Sequence, residues 1–356
     1  MDKESTNIRI IDIAEMAGVS VGTVDRVIHN RGRVSEENKK KVQEILKKMN
    51  YQPNMIARSL ASKKKYRLVA VIPSFGKGEY WEAISAGIDK ATMEIEAYNV
   101  HIEKIFFDQY NGKTFDEIVE NLSRESVDGV LIATLFTDSV IRFSHLLDEK
   151  EIPYVYVDSN IDGQNQLAYF GTDSYDGGVV AAKLLSERLG KGADILIGSI
   201  SHEGRNDSNQ GRNRRNGFCD YLKARNFEGK LIEAELKLGD TTHNENILNG
   251  IFRHNPNIEG AIIFNSTCYI LGNYLKQKAM KGIKLVGYDL IEKNTELLSE
   301  GIISTLIAQR PEAQGYYGIK SLSNFLVLKQ QPEKVNLMPI DILIRENLKY
   351  YLNNKL

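Results

Sequence analysis

A chain of 356 residues with 42% hydrophobic and 8% aromatic residues can bury a sizeable core and is long for one domain. No stretch has the apolar length that a bilayer requires, and the first ten residues lack the apolar segment of a signal peptide, so we expect a cytoplasmic protein without a membrane partner. The net charge of −1 is unevenly distributed along the chain. Residues 1–66 carry 14 Lys+Arg and 8 Asp+Glu, a net charge of +6, and the remaining residues carry a net charge of −7. This asymmetry favours a basic nucleic-acid-binding domain attached to a separate body.

Residues 8–62 contain short amphipathic helix patterns separated by a tight turn. Gly18 suits a turn that needs a positive φ, and Ser20 is a natural N-cap for the helix after it. Apolar residues recur at helical spacing on both sides of this turn, at Ile10, Ile13, Ala14 and Ala17 and then at Val24, Val27 and Ile28. This is the pattern of a helix-turn-helix.

The second helix of this pattern has a polar stripe opposite its apolar residues. If Val24 faces inward, then Gly22, Asp25, Arg26 and His29 point outward, and Arg26 could hydrogen-bond guanine in a major groove. Gly22 costs roughly 1 kcal/mol of helix propensity relative to alanine, which is easier to understand if the backbone approaches a partner. A small helical module with a solvated face fits the same periodicity.

A third helix follows, and then a short segment that cannot be stable alone. Ser35 with Glu36 and Glu37 reads as a helix start, and the inward residues are Val42, Ile45, Leu46 and Met49. Pro53 marks a boundary, and residues 54–62 are too few to hold a helix in water.

From Arg67 onward, short apolar runs alternate with longer amphipathic stretches. The runs predicted to be strands are 67–73, 127–134, 152–158, 193–200, 260–265, 283–289 and 302–309, and the predicted helices are 80–97, 138–149, 175–189, 269–281 and 313–329. This alternation predicts an α/β body with parallel sheets covered by helices on both faces. The body is too long for one such sheet, so we expect two lobes. The two cysteines, Cys219 and Cys268, lack metal-ligand spacing, and we predict buried thiols with no metal or cofactor.

Ligands of parallel sheets bind beyond the carboxyl ends of the strands, so the residues there are candidates for binding. Carboxylates, amides, arginine and aromatic rings suit a polyhydroxylated ligand. An aspartate at a strand end is more often a cap or turn residue, however, and Trp81 could simply fill core. The candidates are Ser74, Tyr80, Trp81, Thr134, Asp158, Arg214, Ser266, Asp289 and Gln309.

The runs DIAEMAGVS, TVDRV, VSEENKKKV and MNYQPNMIARSLA resemble, without a gap over more than fifty positions, the N-terminal signature of the lactose/galactose repressor family of bacterial transcription regulators. The resemblance implies an all-α helix-turn-helix DNA-binding domain and a two-lobed body with the type I periplasmic-binding-protein fold. Expected boundaries are 1–53 for the DNA-binding domain, 54–65 for a hinge helix and linker, and 66–356 for effector binding and dimerisation, with lobe crossings near 161, 310 and 331.

The resemblance also assigns roles to residues. In the family, the positions of Arg214, Asp289 and Gln309 contact the effector, Asp158 faces the cleft, and Leu60 enters the minor groove as an apolar wedge. The expected DNA-contacting residues are Ser20, Val21, Gly22, Thr23, Asp25, Arg26, His29, Asn54, Ala57 and Leu60.

Several positions depart from the family pattern. Thr241 replaces the lactose repressor's stacking tryptophan, and Ser266 aligns with its cleft asparagine, so the effector need not be a galactoside. Val21 and Gly22 are smaller than that repressor's base-reading residues, which leaves readout to Arg26 and DNA deformability. Asp25 replaces a common phosphate-contacting serine and could instead orient Arg26 or accept from a cytosine amine.

The leading hypothesis is therefore a homodimeric transcription regulator, a repressor-type protein that binds roughly palindromic double-stranded operator DNA under the control of a small sugar or sugar derivative. An α/β enzyme acting on a sugar or nucleotide is the first alternative. Against it, the third glycine of a dinucleotide motif after Gly76 and Gly78 is replaced by Trp81, Gly190-Lys191 lacks the upstream glycine of a P-loop, and neither GxSxG nor HExxH occurs. The second alternative, a sugar-binding receptor without DNA function, leaves residues 8–62 unexplained. These residues are compatible with more than one effector, with an effector that releases or one that promotes DNA binding, and with a dimer or a tetramer. The C-terminal residues lack the sustained heptads of a coiled coil, which disfavours a tetramer formed through such a tail.

Overall fold

The computed structural model describes residues 10–28, 32, 34–49, 64–201 and 208–353. It divides into two compact units, Met1–Ala61 and Ser62–Leu356. Most of the predicted hinge segment, residues 54–63, lies outside the described residues.

The N-terminal unit contains the three predicted helices: α1 (Ile10–Ala17), α2 (Val21–Ile28) and α3 (Glu36–Lys48). The three helices pack around a small core, to which α1 contributes Ile13 and Ala14, α2 contributes Val24 and α3 contributes Val42. The turn is built as expected, because Gly18 has a φ of +63° and the Ser20 hydroxyl accepts a hydrogen bond from the Thr23 N–H at 3.2 Å. Ser35 caps α3 in the same way, through the Asn38 N–H.

The body runs through alternating strands and helices. It begins with β1 (Tyr66–Pro73), α4 (Tyr80–Ile95), β2 (Val100–Phe107), α5 (Gly112–Ser123), β3 (Gly129–Ala133), α6 (Thr137–Glu149), β4 (Tyr154–Asp158) and β5 (Ala168–Gly171). It continues with α7 (Ser174–Ser186), β6 (Asp194–Ser201), α8 (Asn209–Ala224), β7 (Leu231–Lys237), α9 (Thr241–His254), β8 (Ile258–Ile263), α10 (Tyr269–Gln277), β9 (Lys284–Tyr288), α11 (Glu292–Ser299) and β10 (Thr305–Ala308). It ends with α12 (Pro311–Ser323), β11 (Val335–Leu337), β12 (Asp341–Leu343) and α13 (Leu348–Leu352).

These strands form two six-stranded sheets, one in each lobe. The first has the order β11-β5-β4-β3-β1-β2 and the second the order β12-β10-β9-β8-β6-β7. All neighbours are parallel except β10 and β12. The central strands β3 and β4 are buried along their whole length, as expected for a sheet covered by helices on both faces.

The chain crosses between the lobes after Gly171, after Ala308 and after Leu337. The middle crossing lies between Ala308 and Pro311. The other two come later than 161 and 331, because Ala168–Gly171 and Val335–Leu337 first pair with each other in the first sheet. Cys268 is buried and Cys219 is half-buried, and neither is in a disulfide.

Candidate functional site

Two strand ends in different lobes bring an aspartate to one buried region. Asp158 is the last residue of β4 and Asp289 directly follows β9, and their exposures are 4% and 5%. Both have left-handed backbone conformations, with φ of +78° and +68°. Non-glycine residues in this region cost roughly 1–3 kcal/mol each, and such strain is concentrated at functional sites. The fold therefore holds both carboxyl groups at an energetic cost.

Arg214 supplies the positive charge of this region from the second turn of α8. It is 1% exposed, its Nη1 donates to the Phe264 carbonyl at 2.9 Å, and its guanidinium lies 4.0 Å from the ring centroid of Tyr288. Among the described atoms, its Nε has no hydrogen-bond partner. A buried donor without a partner is expensive to maintain, so the surroundings of this N–H are incomplete in the described structure.

Three glutamine side chains link the two aspartates. Gln309 donates to the Asp289 carboxylate at 2.8 Å, and Gln210 donates to the Asp158 carboxylate at 3.0 Å and to Gln309 Oε1 at 3.1 Å. Gln314 is fully buried, accepts from the Asp158 N–H at 3.0 Å and donates to the Gln309 carbonyl at 2.9 Å. A continuous hydrogen-bonded network thus runs from one lobe to the other.

Burial dominates the electrostatics of the two acids. It raises the pKa of Asp158 to about 6, with a further rise from the charge of Asp289 and an opposing effect of Arg214. Burial also raises the pKa of Asp289, against the effects of Arg214 and of the Gln309 hydrogen bond. Two carboxyl groups therefore share one buried arginine, which leaves the site with an excess of negative charge when both are ionised.

Tyr80 and Trp81 open α4 beside these acids. They are 8% and 6% exposed and pack edge to face with centroids 5.1 Å apart. Burial and the charges of Asp158 and Asp289 raise the pKa of the Tyr80 hydroxyl well above its usual value. The hydroxyl lies near the Asp158 carboxyl, yet no described atom meets it with good hydrogen-bond geometry.

These groups surround a cavity of about 250 Å³ between the lobes, which we call the inner cleft. Tyr80, Trp81 and Asp158 line it from the first lobe and Gln210, Ser266 and Asp289 from the second. Asn294 supports this second wall, because its fully buried side-chain amide donates to the carbonyls of Ser266, Tyr288 and Asp289 at 2.9–3.1 Å.

Other predicted effector residues lie elsewhere. Arg214 lies outside the surface that lines the inner cleft, and Gln309 lines a neighbouring cavity together with Asp289. The Thr134 hydroxyl is committed to the carbonyls of Val157 and Ser159. Ser74 is exposed outside the inner cleft, as is Thr241 at the start of α9.

Sequence reasoning missed Gln210, Gln314 and Asn294. Each lies one to six residues after a strand end or a loop, in the first turn or two of a helix. Their position near strand ends was the one available signal. The residue type added none, because glutamine and asparagine are common at helix starts for capping and solvation alone.

The N-terminal unit presents α2 as a candidate nucleic-acid interface. Val21, Gly22 and Arg26 are exposed, Thr23 and Asp25 are half-buried, and Val24 is fully buried. The Ser20 hydroxyl is engaged with Thr23 at the start of this helix. The predicted contacts His29, Asn54, Ala57 and Leu60 lie outside the described residues.

Comparison with known families gives two matches. A family model described as a periplasmic binding protein domain matches residues 69–330, and one described as bacterial regulatory proteins of the lacI family matches residues 9–54.

Similar proteins include catabolite control protein A from Staphylococcus epidermidis, 29% identical over 68% of this chain and 68% of the relative. Catabolite control protein A from Streptococcus mutans is 31% identical over 65% of this chain and 66% of its own length. The chain thus spans about two thirds of the length of these two relatives.

Solved structures share the fold of the body. A candidate LacI transcriptional regulator from Bacteroides fragilis is 35% identical with a TM-score of 0.77, covering 81% of this chain and all of the other. A glucose-galactose binding protein from Geobacillus stearothermophilus is 20% identical with a TM-score of 0.70, covering 80% of this chain and 99% of the other, and shows the likeness of fold alone.

Proposed function

The chain belongs to the lacI family of bacterial regulatory proteins, and from this membership we propose that it binds roughly palindromic operator DNA as a cytoplasmic homodimer under the control of a small carbohydrate effector. It combines a DNA-binding helix-turn-helix with a periplasmic-binding-protein-like body. We further propose that it has no enzymatic activity, so that ligand binding itself is the signal.

The inner cleft carries the proposal of a carbohydrate effector. Asp158 and Asp289 offer acceptors for hydroxyl hydrogens. The Gln210 side-chain oxygen is a further acceptor, because the Gln210 amide N–H groups already donate to Asp158 and Gln309. The Tyr80 hydroxyl has no good partner among the described atoms. A volume of about 250 Å³ is close to the lower end of ligand pockets, roughly 300–1,000 Å³, and suits a single sugar ring.

Control of DNA binding follows from the position of the inner cleft between the lobes. A ligand that contacts Asp158 in one lobe and Asp289 in the other favours the closed arrangement of the body. If the DNA-bound dimer requires one arrangement, the effector changes operator affinity by its difference in affinity for the two states.

The proposed DNA contacts centre on α2. Arg26 is exposed on the surface opposite the buried Val24, and Gly22 lies on the same side, since a Cβ there would lie 3.8 Å from Arg26 Nη2. In this proposal, Arg26 reads guanine and the backbone at Gly22 approaches the groove. Leu60 is proposed as the minor-groove wedge from its sequence position.

A thermal-shift screen of the full chain against monosaccharides, disaccharides, sugar acids, phosphosugars and polyols tests the effector proposal. We expect a stabilising hit that weakens at least tenfold in Asp289→Ala, which removes an acceptor, and in Arg214→Ala, which removes the positive charge that acts on both acids. Asp138→Asn, at an exposed position of α6, is the control. Unchanged binding in both variants would refute the placement of the site.

A gel-shift assay of genomic fragments, with and without the hit, tests DNA binding. We expect salt-sensitive binding to a palindromic fragment that the hit alters. Absence of binding to every fragment under both conditions contradicts the regulator, and turnover of the hit would instead indicate an enzyme.

A further inference from the structure

A second cavity adjoins the inner cleft, and nothing in the proposed function uses it. It encloses about 720 Å³ between the start of α4, the start of α12 and the C-terminal helix α13. We call it the outer chamber and define it by Ala83, Ala86, Pro311, Ala313, Tyr351 and Leu352.

The outer chamber and the inner cleft share a wall. The turn Lys77–Tyr80 lines both cavities, as do Asp289, Ile291 and Glu292 on the facing lobe. Gln309, which donates to Asp289, lines the outer chamber. A ligand held by Asp289 in the inner cleft therefore lies at the boundary of the larger space.

The wall of the outer chamber differs chemically from that of the inner cleft. Alanines at residues 83, 86 and 313 leave open volume, and the half-buried ring of Tyr351 adds aromatic surface. The Arg310 guanidinium lies 6.0 Å from the centroid of this ring, so the opposite face is the one that a second ring would contact. Two of its charged groups are already occupied, because Glu82 accepts from the Gly78 N–H at 2.6 Å and Arg310 pairs with Asp341 at 2.8 Å. This wall offers contact area more than free hydrogen-bonding groups, which suits the apolar face of a ring.

The charges around the outer chamber disfavour an anionic occupant. Its lining contains two basic residues, Lys77 and Arg310, and five acidic residues, Glu79, Glu82, Asp289, Glu292 and Glu312. A phosphate or carboxylate here would meet an excess of negative charge in a partly desolvated space.

We propose that the effector is an uncharged glycoside larger than one ring, with one sugar in the inner cleft and a second ring in the outer chamber against Tyr351. This inference rests on the proposed function, because it takes the inner cleft as the sugar site. It narrows the effector from carbohydrates in general to two-ring glycosides and excludes phosphosugars and sugar acids.

Calorimetry on the full chain tests this proposal. The probes are D-glucose, D-galactose, D-mannose and D-xylose, each beside its phenyl β-D-glycoside and its (1→4)-linked disaccharide. For the sugar that binds, we expect a two-ring form to bind at least tenfold more tightly than the single ring. In Ala86→Trp, whose indole we expect to fill part of the outer chamber, this ratio should fall to near one.

Met93→Trp is the matched control, because Met93 lies on the same helix, is 77% exposed and does not line the outer chamber. It should leave the ratio unchanged. Single-ring binding that Asp289→Asn weakens, with no two-ring advantage, overturns the inference while the proposed function stands. A two-ring advantage that survives Ala86→Trp also overturns it. If a sugar acid or phosphosugar of the thermal-shift screen binds and no uncharged sugar of either size does, the inference is overturned while the carbohydrate effector stands. If no carbohydrate of that screen binds, both are contradicted.

Discussion

Gly178 and Arg214 lie so close that a side chain at residue 178 would collide with the main chain at residue 214. A Cβ on Gly178 would lie 1.9 Å from the Arg214 carbonyl oxygen, and one on Gly217 would lie 2.0 Å from that of Tyr175. Reciprocal glycines thus let α7 and α8 cross closely, and this crossing fixes the helix that carries Arg214.

Gly178→Ala should therefore destabilise the body by roughly 1–3 kcal/mol through overpacking, and should weaken effector binding by displacing α8. Urea denaturation and effector titration measure the two effects. Gly250→Ala is the control, since a Cβ there meets no atom within 4 Å and alanine gains helix propensity. Equal stability of the two variants would show that the crossing tolerates separation.

The raised pKa of Asp158 predicts a pH dependence of stability. Burial raises this pKa from its ordinary 3.8 to about 6, so the folded state binds the proton more tightly than the unfolded state. Stability attributable to this group is full below pH 3.8 and is lost as the pH rises toward 6, by an amount of roughly 3 kcal/mol.

Asp158→Asn removes this titration while keeping an acceptor for Gln210. We expect the unfolding free energy of the variant, relative to wild type, to increase between pH 4 and pH 7. Urea denaturation at a series of pH values measures it, with the exposed Asp138→Asn as control. A difference that is independent of pH would mean that Asp158 titrates normally.

Substitution of Gln314, which lines neither cavity, should lower both stability and effector affinity. Gln314→Met leaves the buried Asp158 N–H and Gln309 carbonyl without their side-chain partner, which should cost roughly 2–5 kcal/mol. Effector affinity should fall as well, because Asp158 loses a fixed position directly and Asp289 loses one through Gln309. Gln330→Met, at an exposed site after α12, controls for the chemical change. Wild-type affinity in a stably folded Gln314→Met would rule out a positioning role.

Two substitutions on α2 separate specificity from general DNA affinity. Arg26→Ala should cost roughly 1–3 kcal/mol on the preferred operator and little on random DNA, if Arg26 reads guanine. Asp25→Ser should change the preferred operator sequence. Selection from a random-sequence library, followed by binding titrations at several salt concentrations, measures both. Equal losses on all sequences would make Arg26 a phosphate contact, and an unchanged preference would leave Asp25 without a role in readout.

The sequence predicted most of the strands that are buried on both faces, because these are continuous apolar runs such as 152–158. The four-residue strand β5, which is buried throughout, was missed because it is too short to form such a run. It did not predict the edge strands β2 and β7, in which charged and apolar residues mix as solvent contacts one side. Asp158 and Asp289 could be identified as candidates from the sequence because each lies at the end of an apolar run. The network of Gln210 and Gln314 was not, since it depends on how two distant segments meet.

Within the described residues of the body, three passages of main chain connect the lobes, after Gly171, Ala308 and Leu337. Strand β5 lies beside β11 in one sheet, and β10 lies beside β12 in the other. Two lobes connected by a single segment can rotate about any axis. Three neighbouring segments restrict the lobes mainly to one hinge motion. Distances between pairs of spin labels, with one label of each pair on each lobe, should therefore all shorten or all lengthen together as the lobes close or open.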